Sequence, residues 1–73
     1  MYYVIETQTR PDGIVNITTT GRTSFASALS LYHDRYSKMC VNTDFTSVGL
    51  SLCDADLNVI QHDVVETQYK AEA

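Results

Sequence analysis

The amino-acid sequence predicts an α+β fold in which one helix packs on one face of a four-stranded, mainly antiparallel sheet. Two pairs of β-rich segments are each joined by a short turn, and one apolar stripe of helical spacing lies between the pairs. The predicted order is therefore β-β-α-β-β. With 73 residues the chain has room for one domain only. We place this domain at residues 1–67 and predict that the polar segment 68–73 is a frayed tail.

The first hairpin joins two segments rich in β-branched and aromatic residues, 2–9 and 14–20. The sequence Pro11-Asp12-Gly13 lies between them. Proline presets the second position of a turn, and glycine can adopt the left-handed conformation that follows. This pattern predicts a three-residue hairpin loop with a bulge.

The central segment predicts an amphipathic helix. Its apolar residues recur at steps of three and four and form one stripe; they are Phe25, Ala28, Leu29, Tyr32, Tyr36 and Met39. Either Thr23 or Ser24 can cap the N-terminus of this helix by accepting from exposed backbone N–H groups. Asn42 is the residue that we expect to end it.

The second hairpin follows the helix. Val48, Leu50 and Leu52 alternate with small polar residues, as in a strand with one buried face. The cluster 54–58 is rich in turn-forming residues. The last strand is predicted over residues 59–67.

The strand patterns place apolar residues on both faces of the sheet. Tyr3 and Ile5 share one face of the first strand, whereas Tyr2 and Val4 share the other. One helix covers only one face, so the other face needs a partner or exposes a large apolar patch. We therefore predict a homodimer formed through the open face or an edge strand. Its candidate contacts are Tyr2, Val4 and Ile14.

The charge pattern argues against two classes of partner. The net charge is −4, the acidic residues are scattered, and Lys and Arg form no cluster, so we expect no direct binding to nucleic acid. No apolar run approaches the length of a membrane span, so we expect no membrane partner. The N-terminus lacks the basic region of a secretory signal. These features predict an intracellular protein.

The residues that could carry chemistry form no recognised motif. Cys40, Cys53, His33 and His62 offer a set of zinc ligands, but they lack the closely spaced pairs of a structural zinc site. We expect no metal and no cofactor, and two free thiols, although a single disulfide stays open. No Gly-x-Ser-x-Gly sequence is present. We expect no catalytic residue; a small enzyme using Cys40 or His33 is the weaker alternative.

Several segments together resemble a known group of proteins. They are the opening 2–9, the turn Asp12-Gly13, the pair Tyr32-His33, and the runs 48–52 and 56–60. In these segments the chain resembles small uncharacterised proteins from phage and prophage regions of Firmicutes. The resemblance implies a mobile-element origin and a location in the host cytoplasm or the virion. Such proteins often carry glycine where this chain has Leu57, which implies a less tight turn here.

These observations lead to a hypothesis of function. We expect a non-enzymatic protein–protein interaction module that works as a homodimer, with a host or phage protein as its further partner. One version is an inhibitor of a host defence nuclease, whose carboxylates imitate phosphates in a basic groove. A second version is a minor virion or assembly component, in which self-association serves directly.

Overall fold

The computed structural model describes residues 1–70 and confirms the predicted α+β architecture. Four strands form one sheet in the order β2-β1-β3-β4, and every neighbouring pair is antiparallel. The elements are β1 (Tyr2–Thr9), β2 (Val15–Arg22), α1 (Phe25–Cys40), β3 (Ser47–Cys53) and β4 (Val59–Val65). The connection from β2 through α1 to β3 passes over β1, so the two hairpins meet side by side in the centre of the sheet.

The first hairpin has the predicted loop. Arg10 N–H donates to the carbonyl of Ile14 over 2.9 Å, and Gly13 N–H donates to the carbonyl of Arg10 over 2.9 Å. Gly13 has φ +88°, the left-handed conformation expected of it. The second strand was predicted to stop at residue 20 but continues to Arg22. Gly21 does not break it, because it pairs with Tyr3, whose ring lies about a van der Waals contact away.

The helix begins at Phe25, directly after its cap. Ser24, and not Thr23, is the N-cap, and its Oγ accepts from the N–H of Ser27 over 3.1 Å. At the other end Asn42 N–H donates to the carbonyl of Met39 over 3.2 Å. The cap at Ser24 confirms one of the two predicted starts of the helix. The predicted end differs by one residue, because the helix ends at Cys40 and Val41, not Asn42, is its C-cap.

The core lies between α1 and one face of the sheet. Its buried residues come from the helix stripe and from alternate positions of the strands; they are Val4, Ala28, Tyr32, Met39, Val48, Leu50, Leu52 and Val65. The alternation in β3 appears as predicted, since Val48, Leu50 and Leu52 face the helix. The even-numbered residues of β1, β2 and β3 therefore lie on the helix side of the sheet, although Asn16 and Thr18 on β2 remain exposed there.

The second hairpin is closed by a network around Asp54, whose carboxylate accepts from the backbone N–H groups of Asp56 and Asn58 over 2.9 Å each. Leu57 has φ +64°, and its N–H donates to the carbonyl of Asp54 over 3.0 Å. The expectation of a less tight turn is therefore wrong: leucine adopts the conformation that glycine would favour, and the turn stays closed.

The strand after this turn differs from the prediction at its end. β4 ends at Val65 and not at residue 67, because Thr67 turns to donate its hydroxyl to the carbonyl of Phe45 over 2.6 Å. Gln68 N–H donates to the carbonyl of Asn42 over 2.8 Å. The start of the predicted tail is thus attached to the loop after the helix. Residues 71–73 of that tail lie outside the described residues.

Candidate functional site

The face of the sheet opposite the helix is the first candidate site, and we call it the open face. It consists of the odd-numbered residues of β1, β2 and β3 with their register neighbours in β4. Its main members are Tyr3, Ile5, Thr7, Val15, Ile17, Thr19, Gly21, Gly49, Ser51, His62 and Val64. No element within residues 1–70 covers this face.

Apolar side chains lie exposed along both sides of the open face. Ile17 on β2 and Val64 on β4 are each 69% exposed, and Val15 is 50% exposed. β2 and β4 are the two edge strands, so this apolar surface reaches both edges of the sheet. Isolated exposed apolar residues are normal on a monomer, but a set sharing one uncovered sheet face is typical of a protein-binding surface.

Neighbouring side chains cover two glycines on the open face. A Cβ atom on Gly49 would lie 2.7 Å from Thr7 Oγ1, so Thr7 occupies the space that a side chain at position 49 would need. Tyr3 covers Gly21 in the same manner, with its ring about 3.4 Å from a Cβ built there. An uncovered sheet face with apolar residues at both margins suits contact with another extended surface better than it suits a small ligand.

Ser51 and His62 meet on the open face, a contact that the sequence analysis did not find. Ser51 Oγ lies 2.9 Å from His62 Nδ1, and the two residues are direct register partners on β3 and β4. A serine activated by histidine usually requires a third group that orients the ring. Asp63 is next in the chain but faces the helix. The pair is therefore best explained as a cross-strand hydrogen bond.

A second candidate lies on the other side of the sheet, where α1 meets β4. Tyr32, His33, Tyr36, Gln61 and Asp63 line a shallow cavity of about 240 Å³. The Tyr32 hydroxyl donates to the carboxylate of Asp63. Burial, together with this hydrogen bond, raises the pKa of Tyr32 above its usual value. The same hydrogen bond, with a weaker one from Gln61, lowers the pKa of Asp63.

The polar groups of this cavity form a structural contact between the helix and β4. The carboxylate of Asp63 is already engaged by Tyr32 and by Gln61, whose Nε2 donates over 3.4 Å. His33 is exposed at the rim, with its ring centre 6.0 Å from that of Tyr32. The cavity thus connects the helix to the outer strand through Tyr32 and Asp63. Tyr32 was predicted to lie on the apolar stripe of the helix, but its bond to Asp63 was not predicted from the sequence.

Glu6 is the buried acidic residue of the sheet. It faces the helix from β1, with Thr18 and Leu50 as register neighbours, and only 5% of it is exposed. Gln8 donates its side-chain amide to Glu6 Oε2. Glu6 Oε1 has no hydrogen-bond partner among residues 1–70. A buried carboxylate oxygen without a partner lowers stability.

The four residues considered as metal ligands lie apart. Cys40 ends the helix and is half-buried, whereas Cys53 ends β3 and is buried, and both are free thiols. His33 lies on the helix and His62 on the open face. Within the described part of the chain, no group of three or more acidic, cysteine or histidine residues is arranged to hold a metal ion.

The structure separates the three predicted contact residues. Val4 is 3% exposed and belongs to the core beneath the helix. Tyr2 packs beside that core, with its ring 5.5 Å from the ring of Phe25. Both residues face α1, because the helix covers the even-numbered side of β1. Ile14 alone remains at the surface, 53% exposed at the start of the β2 edge.

No family model, curated protein or solved structure matches this chain. Among residues 1–70, no helix combines the length and the apolar content that crossing a bilayer requires.

Proposed function

We propose that this protein is a non-enzymatic interaction module that works as a homodimer. The contact would use the part of the sheet that α1 leaves uncovered: the open face or the free edge of β2. The observation that carries this proposal is the exposure of Ile17 and Val64, each 69%, on the same uncovered face. Burying apolar surface of this kind is the main driving force of protein association.

The setting of this module is proposed from sequence resemblance. We propose a phage or mobile-element origin, a location in the host cell or the virion, and a further partner among host or phage proteins. The charges on the surface do not support an inhibitor whose carboxylates imitate the phosphates of nucleic acid. Asp12 pairs with Arg10 at 3.1 Å and Asp34 pairs with Lys38 at 3.1 Å, so cations already neutralise two exposed carboxylates.

Size-exclusion chromatography with light scattering tests the homodimer. At micromolar concentration the wild-type chain should elute with twice the chain mass. The double variant Ile17→Lys/Val64→Lys places a charge at both margins of the open face and should elute as a monomer. Val41→Lys is the matched control: Val41 is 72% exposed but caps the helix, away from the open face. A wild-type chain that remains monomeric contradicts the proposal.

A further inference from the structure

β2 is an edge strand of the sheet, and no other strand within residues 1–70 pairs with its outer side. We propose that two copies of this chain join edge to edge through β2, antiparallel and in one register, to form a continuous eight-stranded sheet. This inference rests on the homodimer proposed above and names the contact that forms it.

The free backbone groups of β2 follow from the pattern of the first hairpin. In an antiparallel pair, residues alternate between those that bond their neighbour and those that point away from it. Arg10 N–H donates to the carbonyl of Ile14, which sets the even-numbered residues of β2 toward β1. The N–H and C=O groups of the odd-numbered residues therefore point away from the sheet. These residues are Val15, Ile17, Thr19 and Gly21. The carbonyl of Gly21 accepts there from the exposed side chain of Arg22 over 3.2 Å, a bond that pairing with a second strand would replace.

The β2 edge lacks the features that usually prevent edge pairing. Natural edges are protected by charges, proline, bulges or short strands. β2 is eight residues long, has no proline, and carries one charge, Arg22, at its end. The opposite edge differs, since the register between β3 and β4 shifts at Cys53 and β4 carries Asp63 in its interior. The two edges are thus unequal, and β2 is the one open to a partner strand.

One register satisfies every free group of β2. Pairing Val15 with Gly21 of the second copy, and Ile17 with Thr19 of the second copy, engages all the odd-numbered residues. Each of these residues then donates one bond and accepts one, so about eight hydrogen bonds cross the interface. A shift by two residues in either direction leaves an end residue unpaired and loses about two of these bonds. The two-fold axis of the best register passes between the two copies of Thr18.

The side chains are compatible with this register. On the open face, Ile17 lies against Thr19 of the second copy, and β-branched pairs of this kind stabilise antiparallel sheets. On the helix face, two threonines meet at the axis, and Asn16 lies against Thr20 of the second copy. Arg22 lies opposite Ile14 of the second copy. No like charges lie opposite one another in this register.

Disulfide trapping tests the register. The background is Cys40→Ser, because Cys40 is half-buried, whereas the buried Cys53 is retained. At a non-hydrogen-bonded antiparallel pair the Cα atoms are about 4.5 Å apart, within the range of a disulfide. Thr18→Cys should therefore form a linked dimer under mild oxidation. Asn16→Cys alone should not, whereas an equal mixture of Asn16→Cys and Thr20→Cys should link.

Two single variants separate this contact from a face-to-face dimer. Ile17 and Val64 are equally exposed on the open face, but only Ile17 lies on β2. Ile17→Lys should raise the dimer dissociation constant at least about tenfold, and Val64→Lys should change it by less than about threefold. A light-scattering dimer that fails to cross-link at residue 18, or that responds equally to both variants, overturns the β2 register while the homodimer stands. A monomeric wild-type chain overturns both.

Discussion

Leu57 adopts an unfavourable backbone conformation in the turn between β3 and β4. Its φ of +64° brings the leucine Cβ close to the backbone, at a cost of about 1–2 kcal/mol for a residue with a side chain. The side chain is 60% exposed and packs little, so it offsets little of this cost. Asp54 holds the turn closed around Leu57 through bonds to two backbone N–H groups. The network of Asp54 therefore maintains a conformation that leucine disfavours.

Replacing Leu57 by glycine should stabilise the protein. Leu57→Gly relieves the backbone strain and should raise the free energy of unfolding by about 1 kcal/mol, measured by urea denaturation. Leu57→Ala is the control, because alanine removes the exposed side chain but retains a Cβ atom in the left-handed conformation. If alanine stabilises as much as glycine, the side chain and not the backbone is the source of the effect.

The bond between Tyr32 and Asp63 should make stability depend on pH at both ends of the range. The pKa of Asp63 is lowered in the folded protein, so the unfolded chain binds more protons in acid. The stability from this carboxylate is present above its unfolded pKa of about 3.9 and is lost as the pH falls through the lower folded pKa. The pKa of Tyr32 is raised, so stability should also fall as the pH rises above about 10.

Tyr32→Phe should reduce both limbs of this pH dependence. At neutral pH the variant should lose about 1–2 kcal/mol of unfolding free energy, because the hydroxyl bonds a carboxylate. Urea titrations at several pH values between about 2 and 7 should show a flatter acid limb than in the wild type. Tyr36→Phe is the control, since Tyr36 lines the same cavity and is partly exposed. If the acid limb is unchanged in Tyr32→Phe, the loss of stability at low pH comes from other carboxylates.

At the scale of elements, the start of α1 depends on one side chain. Ser24 Oγ accepts from Ser27 N–H and satisfies one of the free donors at the helix N-terminus. The first turn of the helix carries no acidic residue, so no charge there adds to this cap. Phe25, the first residue of the helix, also contacts Tyr2 on β1. The cap therefore helps to position the helix over the sheet.

Ser24→Ala should cost about 1 kcal/mol of unfolding free energy. The loss should appear in urea denaturation and as a small decrease in helical circular dichroism. Thr23→Ala is the matched control, because Thr23 is the adjacent hydroxyl residue and is exposed. Equal effects of the two variants would show that the cap is not specific to Ser24.

Local sequence patterns predicted the strands, the helix and the turns. Tertiary geometry determines which face of the sheet is covered and which distant residues meet. The loop at Gly13 and the cap of the helix depend on a few adjacent residues, so the sequence indicated both. The helix can pack against either the odd-numbered or the even-numbered residues of β1. Both sets contain apolar side chains, so the sequence does not show which face is covered. For that reason the sequence analysis placed Tyr2 and Val4 at a dimer contact, whereas the structure places them under the helix. Tyr32 and Asp63 are 31 residues apart, and no local signal joins them.

At the scale of the whole molecule, the two-layer architecture explains why apolar residues stay exposed. The Cα atoms extend over 44 × 20 × 14 Å, so the thinnest dimension accommodates only a sheet with one helix above it. Ile17 and Val64 lie on the side away from that helix and have no layer to pack against within residues 1–70. A second copy paired along β2 adds a neighbour to Ile17 but not to Val64, and it couples the stability of each fold to the concentration of the chain.

This coupling predicts that the melting temperature of the wild-type chain rises with protein concentration. A hundredfold increase changes the free energy of a dimer by about 2.7 kcal/mol, shared between two chains. For a domain of this size, the melting temperature changes by about 4–8 °C per kcal/mol of unfolding free energy. The melting temperature should therefore rise by about 5–10 °C. The double variant Ile17→Lys/Val64→Lys should melt at one temperature throughout, because a monomer unfolds independently of concentration. Scanning calorimetry at protein concentrations from about 5 to 500 μM measures both melting temperatures. A wild-type melting temperature that does not change with concentration would show that the single chain is the stable unit.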